Sequence, residues 1–275
     1  MVKNMDGEKT GLTILISIFV VGLVTAGVIL AQDNPLQGKI IALDAGHGGT
    51  NLGAQYPPKC ADGGDSSDCE VYEKDVNLAV VYALKQKLED AGANVVLTRE
   101  CDETISSRKE RVDMAVEKCK SQYGKKCDVL VSVHHNGNTD ATHDGTMVIY
   151  NEKQDIPLAE ALLEALVPLT GINEGLDHGG YGMTVYGHLV SAITEAYYIT
   201  NTEEANLYLS GTLLPVSEYD TGSACDYQVR FGDRTDEEAT ALSNGLFNYF
   251  NSSEDGGNGR GNGGGKPSAP PGQNK

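Results

Sequence analysis

Basic residues are scarce in this sequence. It has 21 Lys and Arg against 39 Asp and Glu, which gives a formal net charge of −18. The charges within residues 1–31 cancel, so the rest of the chain carries the whole acidic excess. Because such a surface repels phosphate backbones and anionic headgroups, we expect no nucleic-acid partner and no adsorption to an anionic lipid surface.

Charged residues are absent from one long apolar run, residues 12–31. A run of this length can span a bilayer as a helix of about 20 residues. It is longer than the apolar region of a signal peptide, usually about 7–15 residues, which favours an uncleaved signal-anchor after a short N-terminal segment, 1–11. A cleaved signal peptide and a buried soluble helix are the alternatives. Both the signal-anchor and the cleaved signal peptide would export the chain from residue 32 onward. We therefore expect an extracytoplasmic protein, either anchored in the membrane by this segment or secreted.

Cysteine pairs of the CxxC type are absent, which disfavours a zinc knuckle. The chain has six Cys, and an even number in an exported protein is typical of disulfide bonds. Free thiols in a cytosolic protein are the alternative, and six cysteines allow other connectivities. We expect two local bonds and a third left by elimination: Cys60–Cys69, Cys119–Cys127 and Cys101–Cys225.

Internal repeats are absent too. We therefore expect one folded domain, residues 38–252, after a linker at 32–37. From Glu254 the composition changes to Gly, Asn, Pro and Ser with almost no apolar residues. Such a segment cannot supply a hydrophobic core, so residues 253–275 are predicted to form a flexible tail.

Strand and helix patterns alternate along the domain. Apolar runs predict strands at 38–44, 94–98, 128–134, 146–150 and 190–199. Apolar residues at helical spacing predict helices at 73–91, 105–120, 156–169 and 236–250. Thr235 and Glu238 have the spacing of a capping box at the start of the last helix. This alternation predicts a single three-layer α/β domain with a mostly parallel, twisted sheet and helices on both faces.

Chemically active side chains follow several of the predicted strands. His47 follows the first strand in a glycine-rich turn, and His134 ends the third. Glu195 lies within the late apolar strand, and Glu73 opens the first helix. Because ligands bind at the carboxyl ends of parallel strands, these side chains are expected to meet. Two His and one carboxylate form a zinc site with an open fourth position, and the other carboxylate is a candidate general base.

Each of these residues also has a simpler explanation when taken alone. His47 is compatible with an ordinary turn, and His134 with a polar residue where a buried strand reaches the surface. Glu73 suits the first turn of any helix, because the helix dipole favours a negative charge there. Glu195 is harder to explain, because burying a carboxylate is costly unless it is paired or functional. The alternative is an edge strand that exposes Glu195 to solvent. The convergence of all four at one sheet edge favours a site.

The order and spacing of these motifs resemble a known family over about residues 38–250. Asp-Ala-Gly-His-Gly-Gly at 44–49 resembles the opening motif of the zinc-dependent N-acetylmuramoyl-L-alanine amidases, the amidase type 3 catalytic domain. Glu73 with Asn77 and Leu78 resembles the second motif. Ser-Val-His-His-Asn at 132–136 resembles the third, and Thr-Glu-Ala-Tyr-Tyr-Ile-Thr-Asn at 194–201 resembles the last.

The resemblance implies a role for each residue. His47, Glu73 and His134, rather than His135, would bind Zn²⁺, and Glu195 would act as general base and then as general acid. The substrate would be peptidoglycan, cleaved between N-acetylmuramic acid and L-alanine. The stretch 210–234 and the loop between Cys60 and Cys69 are longer than expected for the family, and both are predicted to border the cleft.

Two alternatives remain open at this level. A zinc hydrolase of the same fold could act on another amide or peptide, because no residue singled out above recognises a glycan. A catalytically silent module that binds the cell envelope is the other, although the four intact site residues argue against it. Because no separate wall-binding domain is recognisable, targeting is expected to depend on the membrane segment or on a partner.

Overall fold

The computed structural model describes residues 34–58, 60 and 69–255. The predicted membrane segment 12–31 lies outside these residues, as does most of the predicted tail. Among the residues that are described, no helix is both long and apolar enough to cross a bilayer.

A six-stranded mixed sheet forms the centre of the domain. The strands of the described chain, in sequence order, are β1 (Ile40–Ala45), β2 (Gln55–Tyr56), β3 (Val71–Tyr72), β4 (Asn94–Leu97), β5 (Val129–Asn136), β6 (Thr146–Tyr150), β7 (Asn173–His178), β8 (Val190–Tyr198), β9 (Thr212–Pro215) and β10 (Gln228–Phe231). The order in the central sheet is β4-β1-β5-β8-β6-β7. All neighbours in it are parallel except β6 and β8, so the predicted mostly parallel sheet is confirmed.

Helices cover both faces of this sheet, as predicted. Those described are α1 (Glu73–Asp90), α2 (Arg108–Tyr123), α3 (Ile156–Leu166), α4 (Thr202–Leu209), α5 (Val216–Tyr219) and α6 (Asp233–Asp255). In β1, Ile41 and Leu43 pack in the core shared with α1, α3 and α6, whereas Ile40 and Ala42 pack in the core shared with α2. A strand buried on both faces needs apolar residues at every position, which explains the unbroken apolar runs.

The predicted helix boundaries are correct to within a few residues, and the differences have local causes. Helix α2 begins later than predicted because the Ser107 side chain accepts a hydrogen bond from the backbone N–H of Glu110 and caps the helix. Helix α3 ends before Val167–Leu169, which forms a 3₁₀ turn containing Pro168. Helix α6 continues to Asp255, three residues beyond the predicted domain end at 252.

The capping box predicted for the last helix is wrong. Helix α6 starts at Asp233, before Thr235, and the Thr235 hydroxyl bonds to the backbone of Gly232. The Glu238 side chain is fully buried and bonds to His135 in β5, so it does not cap the helix.

Strands β9 and β10 form an antiparallel hairpin that the sequence patterns did not predict, and it occupies the stretch 210–234. Cys225 lies between β9 and β10, and its disulfide bond to Cys101 links this hairpin to the segment that follows β4. The two local bonds, Cys60–Cys69 and Cys119–Cys127, are present as well, so all three predicted pairings are found.

Removal of the long-range disulfide is expected to destabilise the protein more than removal of a local one. The Cys101–Cys225 bond closes a loop of 124 residues and Cys119–Cys127 one of 8. Loop-closure entropy then predicts a loss of about 5 kcal/mol for the double Ser variant of the first pair and about 2.5 kcal/mol for the second. Urea unfolding of both variants measures this, and an equal loss would contradict it.

Candidate metal centre and cleft

His47 follows β1 in a turn whose backbone is unusual. Its φ is 60°, in the left-handed region that few residues other than glycine adopt, and Gly48 and Gly49 also have positive φ. Two buried arginines hold this turn. Arg111 donates to the carbonyl oxygens of Ala45 and His47, and Arg99 donates to those of Ala45 and Gly46. These hydrogen bonds from Arg99 and Arg111 therefore hold the backbone conformation that presents the His47 imidazole.

Asp44 supplies the counter-charge for this support. Its carboxylate is fully buried and accepts hydrogen bonds from Arg111, Ser132 and Thr98. Burial opposes ionisation, but the Arg111 charge and the hydroxyl donors outweigh it and lower the pKa of Asp44. No role was predicted for Asp44 from the sequence. A carboxylate at the end of an otherwise apolar strand is the signal that could have identified it.

Glu73 is the first residue of α1, and both of its carboxylate oxygens are engaged. Oε2 lies 2.9 Å from Nε2 of His47 and accepts a hydrogen bond from the backbone N–H of Ala54. Oε1 lies 2.9 Å from Nδ1 of His134. Burial raises the pKa of Glu73, but the hydrogen bonds from both imidazoles outweigh this and hold the pKa well below its ordinary value.

His134 completes a cluster in which one donor atom from each of His47, Glu73 and His134 lies within 4.8 Å of the others. Two glycines make the close approach possible. A Cβ on Gly46 would lie 2.3 Å from Cε1 of His134, and one on Gly53 would lie 2.4 Å from Oε2 of Glu73. The structure therefore brings together the three residues predicted as ligands.

The donor chemistry of this cluster fits a zinc ion. Two imidazole nitrogens and a carboxylate are a ligand set that zinc uses in catalytic sites, with one position left for water. Nδ1 of His47 lies 2.9 Å from Oδ1 of Asn51, and such a second contact orients a ligating imidazole. In this cluster His47 offers Nε2 and His134 offers Nδ1 toward the carboxylate of Glu73.

Glu195 lies beside this cluster. It is on β8, in register with His134 on β5 and Met147 on β6. Its Oε2 atom is buried and has no hydrogen-bond partner among the residues described. Burial, and next the negative charge of Glu73, raise the pKa of Glu195 well above its ordinary value. Because β8 is an inner strand, the alternative of an exposed edge strand is wrong.

His135 turns away from the cluster. Its ring is fully buried, and its two nitrogens lie 2.7 Å from Oδ1 of Asn77 and 2.8 Å from Oε2 of Glu238. Both nitrogens are therefore committed to other partners. The ring of His135 therefore offers no donor atom to the cluster of His47, Glu73 and His134.

An open cleft of about 870 Å³ is lined in part by His47, His134 and Glu195. One wall is the region 105–111 at the start of α2. A second wall is formed by the segment 180–186, in which Tyr181 and Tyr186 are exposed. Sequence reasoning missed this second wall, because a short segment rich in Gly and Tyr shows no periodic pattern. The stretch 210–234, predicted to border the cleft, contributes no residue to the lining.

Comparison with known proteins agrees with this geometry. The model of the family described as N-acetylmuramoyl-L-alanine amidase, Amidase_3, matches residues 41–213. The uncharacterized protein YqiI of Bacillus subtilis (strain 168) is 30% identical over 177 residues, which cover 62% of this chain and 76% of that protein. N-acetylmuramoyl-L-alanine amidase LytC of the same strain is 28% identical over 178 residues, which cover 63% of this chain but 32% of LytC.

The fold is shared with solved structures. The N-acetylmuramoyl-L-alanine amidase of Clostridium difficile 630 superimposes with a TM-score of 0.60 at 21% identity, covering 78% of this chain and 98% of that structure. Because the family match spans more than half of the sequence and includes α1, β5, β8 and all of β1 except Ile40, the chain belongs to the N-acetylmuramoyl-L-alanine amidase family, Amidase_3.

Proposed function

We propose that this protein is an exported zinc hydrolase that cleaves the amide between N-acetylmuramic acid and L-alanine in peptidoglycan. One observation carries the proposal. Three zinc-type donors, on His47, Glu73 and His134, converge beside a cleft lined by Glu195, whose buried Oε2 has no hydrogen-bond partner among the described residues. Family membership supports the choice of amide and substrate.

In this proposal His47, Glu73 and His134 hold the zinc ion. Bound zinc polarises a carbonyl group and lowers the pKa of water toward about 7. Glu195 takes a proton from the attacking water and delivers it to the nitrogen of the leaving alanine as the C–N bond breaks. Water supplies the oxygen of the new carboxylate, so the reaction needs no covalent bond to the protein.

Two features support action outside the cytoplasm. The described chain contains three disulfide bonds, which persist in oxidising compartments. The apolar run at 12–31 precedes the folded domain and is our proposed signal-anchor or signal peptide. We therefore infer that the domain acts in the cell envelope on peptidoglycan, held by this segment or released from it.

Glu195→Gln is expected to slow hydrolysis strongly while keeping zinc. The amide has nearly the same shape but cannot take a proton, so the rate should fall by about 10²–10⁴-fold. Purified peptidoglycan is digested with the full chain, and the products are analysed by mass spectrometry. The wild type should release stem peptides with a free alanine amine, and so should Glu203→Gln, an exposed control.

The same digestion separates the alternatives. Cleavage at a different amide by the wild type would establish a hydrolase of another specificity. Binding to peptidoglycan without cleavage would establish a silent envelope module. Full activity of Glu195→Gln would contradict the assigned base.

His134→Ala is expected to lose zinc, because it removes one of three protein donors. The matched control is His178→Ala, which removes an exposed imidazole that lies beside Asn151 and Tyr150, away from the cluster. Zinc content after dialysis, measured by atomic emission, distinguishes the two. Equal zinc content in both variants would show that His134 is not a ligand.

Gly53→Ala tests the steric space around Glu73. Gly53 and Gly171 both have a φ of +72°, so an alanine at either position meets the same backbone strain. Only at Gly53 would the new methyl group collide with Glu73 and His47, whereas the space around Gly171 is open. Zinc affinity should therefore fall by about 10–100-fold in Gly53→Ala alone. Competition with a chromophoric chelator measures it, and equal losses would contradict the geometry.

A further inference from the structure

The buried ring of His135 lies between two helices on the side of the sheet opposite the cleft. Successive side chains of a strand point to opposite faces, so His134 faces the cleft and His135 faces α1 and α6. Nδ1 of His135 contacts Asn77 of α1, and Nε2 contacts Glu238 of α6. The ring and the Glu238 carboxylate are both fully buried.

Asn77 links this ring to the metal cluster. Its Nδ2 lies 3.3 Å from Oε1 of Glu73 and 3.2 Å from the carbonyl oxygen of Gly46, the residue before His47. Both of these atoms accept hydrogen bonds, so the amide NH₂ group must face them. Oδ1 of Asn77 is then left facing Nδ1 of His135, which must donate to it.

The backbone of His135 contacts the same carboxylate. Its N–H donates to Oε1 of Glu73 at 3.1 Å. Glu73 therefore receives one contact from the His135 backbone and a second one that reaches it from the His135 ring through Asn77. Asn77 therefore contacts the proposed ligand Glu73 directly. It also contacts Gly46, the residue before the proposed ligand His47.

The surroundings fix the ring of His135. Tyr197 packs against it with a centroid separation of 4.4 Å, and the guanidinium of Arg234 lies 4.4 Å above the Tyr197 ring. Arg234 also pairs with the buried carboxylate of Glu204 at 2.6 Å. With Glu238 on its other nitrogen, the imidazole is enclosed and cannot rotate without breaking contacts to both helices.

We propose that His135 and Glu238 are positioning residues that set the orientation of the zinc ligand Glu73 through Asn77. Glu238 holds the ring, the ring holds Oδ1 of Asn77, and the NH₂ group of Asn77 is thereby directed at Glu73. Without His135 the amide can reverse, which would place Oδ1 against Oε1 of Glu73, two acceptors in contact. Neither His135 nor Glu238 lines the cleft, so neither touches the substrate. This inference rests on the zinc site proposed above.

The test compares the full-chain wild type with the double variant His135→Ala/Glu238→Leu. Changing both residues avoids leaving a buried charge without its partner. Zinc affinity is measured by competition with a chromophoric chelator, and the visible spectrum of the Co²⁺-substituted protein reports ligand geometry. We expect affinity to fall by about 10–100-fold, as is typical when groups that orient metal ligands are lost, and the cobalt spectrum to change.

Glu238→Gln is the conservative variant. A glutamine there can donate its NH₂ group to Nε2 of a neutral ring, which leaves Nδ1 free to donate to Asn77. This variant should therefore keep the zinc affinity and the cobalt spectrum near their wild-type values. Failure of this variant to do so while it remains folded would count against the proposal.

Leu162→Ala is the control for a general loss of stability. Leu162 is a buried residue of α3 that packs against Gly245 of α6, and it is not one of the hydrogen-bonding residues Glu238, His135, Asn77 and Glu73. It should unfold at a lower urea concentration but keep wild-type zinc affinity. An equal loss of affinity in this control, or wild-type affinity and spectrum in the double variant, would overturn the proposal. Absence of zinc binding by the wild type would instead overturn the proposed function itself.

Discussion

The buried carboxylate of Glu73 is the interaction on which the rest of the site depends. A buried negative charge is costly unless it is paired and hydrogen-bonded. Here the groups that compensate it arrive from separate elements: His47 after β1, His134 on β5 and the backbone of Ala54. The start of α1 adds the positive end of a helix dipole. Folding the sheet and assembling the cluster are therefore one event, because the charge is satisfied only when β1, β5 and α1 are in place.

A second buried charge system supports the first. Arg99 and Arg111 donate to carbonyl oxygens in the turn that carries His47, and Asp44 offsets the charge of Arg111. Burial lowers the pKa of Arg99 to about 10, which still leaves it protonated at neutral pH. The turn has few side chains of its own to hold it, so its left-handed backbone depends on these donors.

The sequence predicted the central strands and the convergence of four site residues because both follow from strong local signals. β1 and β5 are apolar runs buried on both faces, and the parallel arrangement brings their carboxyl ends to one edge. β7 (Asn173–His178) was missed because four of its six residues are polar and exposed, so it shows no apolar run. Glu238 was misread as a cap because spacing alone cannot distinguish a local contact from one to a strand 103 residues away. The cleft wall at Tyr181 and Tyr186 depends on tertiary packing that no local pattern encodes.

The register of β8 places Glu195 at the cleft and Tyr197 against the ring of His135 on the other face of the sheet. Glu195 is in register with His134, but Tyr198 is opposite Asn136, so two residues of β8, Ala196 and Tyr197, occupy the space opposite His135 alone. Such a bulge changes the alternation of side chains. Ile193 packs on the α2 side, whereas Ala196 and Tyr197 both pack in the core with α1 and α6. The bulge thus keeps Glu195 at the cleft while Tyr197 packs on the ring of His135. A strand without the extra residue would send Tyr197 to the same face as Glu195 and leave the far side of the cluster without its packing.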